Sequence, residues 1–126
     1  MNIVDSSGWL EYFAGGSQAD PFEEPLKNLS RLIVPTICLY EVFKVVMREK
    51  GEDDALQAAA LMRQGRLAEL DMETAIWAAK ISFNQKLPMA ESIIMATAYL
   101  FGATVWTMDE HFQGLSGVKY IPKPKT

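Results

Sequence analysis

The chain has 126 residues, of which 49% are hydrophobic and 22% charged, and this balance excludes a disordered or fibrous protein. The net charge of -4 excludes a generally basic nucleic-acid-binding domain, so any contact with a polynucleotide must use a local basic strip or bound cations. The single cysteine excludes an intramolecular disulfide and no apolar stretch approaches the roughly 18 to 20 residues that span a bilayer, so we expect one cytoplasmic domain over residues 1–126, outside membranes.

The first half of the chain alternates short apolar runs with helical segments. Two strands and three helices are predicted there: a strand over 2–5, a helix over about 7–14, a helical piece over about 21–29, a strand over 32–34 and a helix over 36–50. Ser6 or Ser7 is expected to cap the first helix, and Thr36 the third. Gly51 then serves as the breaker that ends the third helix.

The second half continues the alternation. Its predicted elements are a helix over about 53–64, a strand near 67–70, a helix after Asp71, a helix from Pro88 to about Phe101, a strand over 103–107, a turn over 110–113 and a strand near 118–121. Residues 121–126 are expected to form a loose tail. Strands that alternate with helices predict an α/β fold with three α/β/α layers and a central, mostly parallel sheet of four to five strands.

Two predicted strands end on an aspartate. Asp5 follows the first strand, and Asp109 follows the strand "ATVWT" by two residues. Because parallel strands deliver their carboxyl ends to one edge of a sheet, we expect the two carboxylates to face each other. Thr107 is expected to share their side and to place its hydroxyl in the same site.

Two glutamates lie near the beginnings of predicted helices. Glu41 occupies the second turn of an amphipathic helix, where it either faces solvent or lies at a polar opening in the core. Glu91 occupies the first turn of a largely apolar helix whose start is expected near the same sheet edge. Four acids are therefore expected to converge.

A cluster of this kind needs a compensating charge. Two unit charges about 4 Å apart repel by about 4 kcal/mol at an effective dielectric near 20, and four carboxylates contain several such pairs. Oxygen ligands suit Mg²⁺ or Mn²⁺, and the sequence offers no His or Cys cluster for zinc. A bound ion activates water, and a pair of ions also stabilises the leaving oxygen of a phosphodiester.

Three segments resemble, in order, small PIN-domain proteins, in particular the VapC-type toxins of bacterial and archaeal toxin-antitoxin pairs. They are "IVDSSGWLEYF", "VPTICLYEVFKVV" and "LPMAESIIMATAYLFGATVWTMDEHF". The last is the most specific, because a Leu-Pro turn, an acid, an "ATA" helix, a glycine, an apolar strand, "T-x-D" and a phenylalanine recur together in that family. The resemblance covers nearly the whole chain.

The resemblance implies a divalent-metal-dependent endoribonuclease that acts as the toxin of such a pair. It implies that Asp5, Glu41, Glu91 and Asp109 form the catalytic and metal-binding acidic cluster, with Mg²⁺ or Mn²⁺ as cofactor and Thr107 as a polar helper. The implied partners are an RNA substrate, a cognate antitoxin whose tail lies in a groove near the first helices, and a second copy of the chain in a homodimer. Trp9, Tyr12 and Phe13 are candidates for lining that groove.

One residue departs from the family pattern. Glu91 stands where the family has Asp, and the added methylene moves the carboxylate by about 1.5 Å. This motivates an alternative function, in which a catalytically weakened PIN-like dimer acts mainly as a protein-binding or regulatory module.

Several of these residues also have a purely structural interpretation. Asp5 alone is also typical of a turn or cap. Ser6 has two candidate roles, a helix cap and an auxiliary polar group of the site, and the cap is the expected one. His111, the only histidine, is expected to be a surface residue rather than a general base. A phosphoacceptor domain also uses an Asp after a strand, but no second acid lies two residues after Asp5.

Overall fold

The computed structural model describes residues 1–124 and contains a parallel sheet of five strands in the order β3-β2-β1-β4-β5. The strands are β1 (Asn2–Val4), β2 (Leu32–Pro35), β3 (Arg66–Ala68), β4 (Thr104–Thr107) and β5 (Val118–Tyr120). All four neighbouring pairs are parallel, which confirms the predicted sheet. Of the expected loose tail, positions 125 and 126 lie outside the described residues.

Six α-helices flank this sheet. They are α1 (Ser6–Ala14), α2 (Asp20–Lys27), α3 (Thr36–Lys50), α4 (Glu52–Met62), α5 (Met72–Gln85) and α6 (Met89–Phe101), with short 3-10 helices at Leu29–Arg31 and Glu110–Phe112. The predicted α/β fold with helices around a central sheet is therefore confirmed. Within residues 1–124, no helix combines the length and the apolar character needed to cross a membrane.

The central strand β1 fixes the position of Asp5. Ile3 and Val4 are fully buried, as expected for an apolar strand with neighbours on both sides. Val4 lies opposite Trp106 in β4, and the backbone N–H of Asp5 donates to the Trp106 carbonyl at 3.1 Å. This register places Asp5 beside Thr107, the last residue of β4.

Helix α1 begins one residue after β1, and this tight turn depends on Gly8. A Cβ at Gly8 would lie 2.6 Å from Val4 Cγ1 and 2.7 Å from Phe22 Cε1. Both neighbours belong to the buried core and have little freedom to move. The absent side chain therefore lets α1 pack closely against β1 and α2.

Several predicted boundaries and caps were wrong in detail. The first strand ends at Val4, and Asp5 caps α1 in place of Ser6 or Ser7, because Asp5 has extended backbone and its carboxylate accepts the Gly8 N–H. Thr36 is the first residue of α3 rather than its cap, since Pro35 holds the extended position before it. Strand β3 ends at Ala68, before the predicted limit at residue 70. Asp71 caps α5 as predicted, because its carboxylate accepts the Thr74 N–H.

Candidate active site

Asp5 lies at the carboxyl end of β1 with only 2% of its surface exposed. Its Oδ1 accepts hydrogen bonds from Ser7 Oγ at 2.6 Å and from the Gly8 N–H at 3.2 Å. Its Oδ2 accepts a hydrogen bond from Thr107 Oγ1 at 2.8 Å. The side chain is therefore both the cap of α1 and a buried acid at the edge of the sheet where the site was predicted.

The surroundings of Asp5 disfavour its charged form. The pKa of Asp5 is raised from 3.8 to about 6, chiefly by burial and to a smaller extent by the nearby negative charge of Asp109. The hydrogen bonds from Ser7, Thr107 and Gly8 act in the opposite direction and lower this pKa. Burial is the larger effect, so the carboxylate holds its charge at neutral pH at an energetic cost.

Two hydroxyl groups connect the ends of β1 and β4. Thr107 Oγ1 donates to Asp5 and accepts the backbone N–H of Asp109 at 2.8 Å. Ser7 Oγ donates to Asp5 and accepts the backbone N–H of Met108 at 3.0 Å. Thr107 was predicted for this place, whereas Ser7 was considered only as a helix cap. Its part in the network follows from the β1–β4 register, which no local pattern reveals.

Glu41 approaches the site from α3. The side chain is half-buried, and Ser6 Oγ donates a hydrogen bond to its Oε1 at 3.0 Å. Burial raises the pKa of Glu41, as do the charges of Glu91 and Asp109, while the hydrogen bond from Ser6 lowers it. Ser6 therefore orients Glu41, one of the predicted site acids, and the expectation that it caps α1 was wrong.

Glu91 and Asp109 lie together with a histidine. The ring atom His111 Nδ1 lies 2.9 Å from Asp109 Oδ1 and 3.1 Å from Glu91 Oε2. The backbone N–H of His111 also donates to Asp109 Oδ1 at 2.9 Å, which fixes the turn after Asp109. His111 is exposed at the surface, as expected, yet it contacts two of the predicted site acids, a role that the sequence did not indicate.

The four predicted acids are linked by electrostatic repulsion. The charge of Asp109 raises the pKa of both Asp5 and Glu41, and the charge of Glu91 raises that of Glu41. Ion pairs give these acids one basic partner among residues 1–124, the exposed His111. Within that part of the chain, Glu91, Asp109 and His111 each offer one ligand atom, and these atoms all lie within 4.8 Å of one another. Asp5 and Glu41 approach this group without joining it.

A divalent cation fits the chemistry of this donor set. A carboxylate has about four acceptor positions, of which Asp5 uses three, so its Oδ2 keeps one free for a cation. Hard divalent ions prefer such oxygen ligands, and a cation among these acids offsets the repulsion that raises their pKa values. Glu91 and Asp109 offer ligand atoms within 4.8 Å of each other, and the neighbouring Asp5 and Glu41 would add oxygen ligands to a cation bound there.

An apolar groove lies on the side of α1 that faces α3 and α4. It encloses about 420 Å³ and includes Leu10, Phe13, Val46, Ala58 and Leu61 in its lining. Phe13 was predicted to line a groove here. Trp9 and Tyr12 were also predicted to do so, but neither is a lining residue. Trp9 is 3% exposed and packs in the core beside Phe13, with 5.5 Å between the two ring centroids.

Solved structures share this fold over almost their entire length. A toxin-antitoxin complex from Klebsiella pneumoniae is similar with a TM-score of 0.80 and 20% identity, covering 96% of this chain and 100% of that chain. The toxin VapC20 of Mycobacterium tuberculosis, described as cleaving the sarcin-ricin loop, has a TM-score of 0.76 and 16% identity, covering 97% and 100%. The DNA-bound VapBC of Salmonella typhimurium has a TM-score of 0.74 and 16% identity, covering 97% and 98%.

The chain matches a family model, although it matches no individual curated protein. A search of curated proteins finds no match. The family model described as the PIN domain matches residues 3–118, which include all four acids and most of the chain. The chain therefore belongs to the PIN domain family.

Proposed function

We propose that the protein is a divalent-metal-dependent endoribonuclease, acting as one PIN-like domain over residues 1–126 in the cytoplasm. The observation that carries this proposal is Asp5, a buried carboxylate whose pKa is raised to about 6 beside Asp109 at the edge of the sheet. Groups with such perturbed pKa values cluster at functional sites. A nuclease of this kind needs acids that are held together in spite of their repulsion.

In this proposal, some residues bind the metal and others orient those ligands. Ser7, Thr107 and the Gly8 N–H hold Asp5 in one orientation and leave one acceptor position on Oδ2 free for the metal. Ser6 holds Glu41 toward the same site, and Asp109 and Glu91 complete the ligand set. When bound, Mg²⁺ or Mn²⁺ lowers the pKa of a water molecule and stabilises the charge on the phosphate.

Basic side chains on α3 support the approach of RNA to the site. This helix carries Glu41 in its second turn and the exposed bases Lys44, Arg48 and Lys50 farther along. Since the net charge of the chain is -4, a local strip of this kind is needed to attract phosphates to an acidic site.

The experiment is cleavage of structured RNA by the purified protein with Mg²⁺ or Mn²⁺. We expect cleavage to stop with a chelator and to fall by at least about a hundredfold in Asp5→Asn, since this change removes a charged ligand. Asp71→Asn is the matched control, because Asp71 also caps a helix but lies outside the acidic cluster. Undiminished cleavage in Asp5→Asn, with the control equally active, would refute the assigned site.

We further propose that the chain is the toxin of a toxin-antitoxin pair. Two of the similar structures are described as a toxin-antitoxin complex and as VapBC, and the apolar groove between α1, α3 and α4 offers a place for an antitoxin segment. Leu61→Glu is expected to weaken binding of a cognate antitoxin, measured by calorimetry, while RNA cleavage by the free protein continues. Tight antitoxin binding without divalent-cation binding would instead favour the catalytically weakened regulatory module.

A homodimer completes the proposal. Helix α5 and the start of α6 expose the apolar side chains of Met72, Phe83 and Met89 by 80%, 75% and 73%, so this side of the chain offers apolar surface to a second copy. Light scattering on the purified chain tests this point. A monomer at all concentrations would contradict the dimer without affecting the nuclease assignment.

A further inference from the structure

His111 places a nitrogen atom among the acids of the site. Its Nδ1 and one oxygen each from Glu91 and Asp109 all lie within 4.8 Å of one another. The side chain is held from two directions, since its backbone N–H donates to Asp109 while its ring contacts both carboxylates. This group is chemically different from a set of carboxylates alone.

The spacing in this group fits ligands of a common ion. An octahedral ion with ligands at about 2.1 Å separates neighbouring ligand atoms by about 3 Å. The distances from His111 Nδ1 to Asp109 Oδ1 and Glu91 Oε2 are 2.9 and 3.1 Å.

We propose that His111 is a metal ligand through Nδ1, and that it makes the site prefer a first-row transition ion such as Mn²⁺ over Mg²⁺. The inference rests on the metal site of the proposed function and adds a residue and a selectivity to it. Mg²⁺ favours oxygen ligands and retained waters, whereas imidazole nitrogen is a ligand of the transition metals. Replacing one oxygen ligand by Nδ1 therefore shifts the preference away from Mg²⁺.

The competing explanation is that His111 is only a hydrogen-bond or ion-pair partner of the two acids, for which 2.9 and 3.1 Å are also ordinary distances. Its side chain is 57% exposed, and those of Glu91 and Asp109 are 15% and 28% exposed, so a simple ion pair is feasible. The two explanations predict opposite effects of removing the ring. Loss of a ligand weakens Mn²⁺ binding, whereas loss of a competing cation strengthens it.

The test compares untagged wild-type protein with His111→Ala, using Mn²⁺ and Mg²⁺ as probes. The matched control is Glu110→Ala, which removes an exposed neighbour outside the ligand group. Calorimetry measures affinity for each ion. We expect His111→Ala to lower the ratio of Mn²⁺ to Mg²⁺ affinity by at least about tenfold, and the control to leave it unchanged.

Pulsed electron paramagnetic resonance of bound Mn²⁺ gives a second readout. Because the chain contains one histidine, an imidazole ¹⁴N coupling can arise only from His111. We expect this coupling in the wild type and in Glu110→Ala, and its loss in His111→Ala. A wild-type spectrum without the coupling, or Mn²⁺ affinity that stays constant or rises in His111→Ala, overturns the inference. Neither result depends on RNA cleavage, so the proposed nuclease stands or falls separately by its Asp5→Asn test.

Discussion

Replacing Asp5 by Asn is expected to stabilise the metal-free protein at neutral and alkaline pH. Asp5 is 2% exposed, and its pKa in the folded chain is about 6, compared with its ordinary value of 3.8. The difference corresponds to about 3 kcal/mol of free energy of unfolding. The ionised carboxylate opposes folding by this amount, and Asn has no charge to bury.

The sign follows from proton linkage. Because the pKa is higher in the folded than in the unfolded chain, the folded state binds the proton more tightly. The stability that Asp5 provides is complete below about pH 3.8 and is lost as the pH rises through about 6. The stability of Asp5→Asn relative to wild type should therefore rise by about 3 kcal/mol between pH 3.5 and pH 8. Altered hydrogen bonds from Ser7 and Thr107 change this difference equally at both pH values and leave the rise unaffected.

Urea unfolding in metal-free buffer, followed by tryptophan fluorescence across this pH range, measures the effect. Asp71→Asn is a control of opposite sign, because the backbone hydrogen bond from Thr74 lowers the pKa of exposed Asp71. Its small loss of stability should be present at neutral pH and disappear on acidification. Saturating Mn²⁺ at pH 8 should stabilise the wild type more than Asp5→Asn. A difference between Asp5→Asn and wild type that stays constant with pH would refute the reasoning.

Three further substitutions test the structure around the site. Gly8→Ala places a Cβ 2.6 Å from Val4 Cγ1 and should cost about 1–3 kcal/mol of unfolding free energy in urea titrations; an unchanged midpoint would contradict the close packing of α1. Ser7→Ala leaves the backbone N–H of Met108 without its partner and should cost about 1–3 kcal/mol, whereas Ser30→Ala, at an exposed position, should cost little in the same assay. Thr107→Val removes a hydrogen bond that lowers the pKa of Asp5. The acidic limb of the pH–rate profile for RNA cleavage should therefore move to higher pH. A limb that stays in place would exclude Asp5 as its source.

The order of strands and helices could be predicted from the sequence because each depends on local patterns. The apolar runs at Ile3 and Val4 and at residues 32–34 became buried parallel strands. Gly51 ends α3 as expected, since it adopts a backbone with positive φ that other residues rarely take, and Gly102 ends α6 in the same way. The PIN-domain resemblance rested on such segments in order, and the family match over residues 3–118 agrees with it.

The sequence by itself determined that acids follow buried strands, since Asp5 and Asp109 each stand just beyond an apolar run. Only the tertiary structure decided which neighbours orient them. Ser7 contacts Met108 across about a hundred residues, and His111 contacts Glu91 from another element, so neither contact leaves a periodic signal. The assignment of the first cap failed for the same reason, because Ser6 has a distant partner in Glu41 that a local cap pattern does not include. Local periodicity fixes where a chain is buried, while hydrogen bonds between distant segments fix what a polar side chain does.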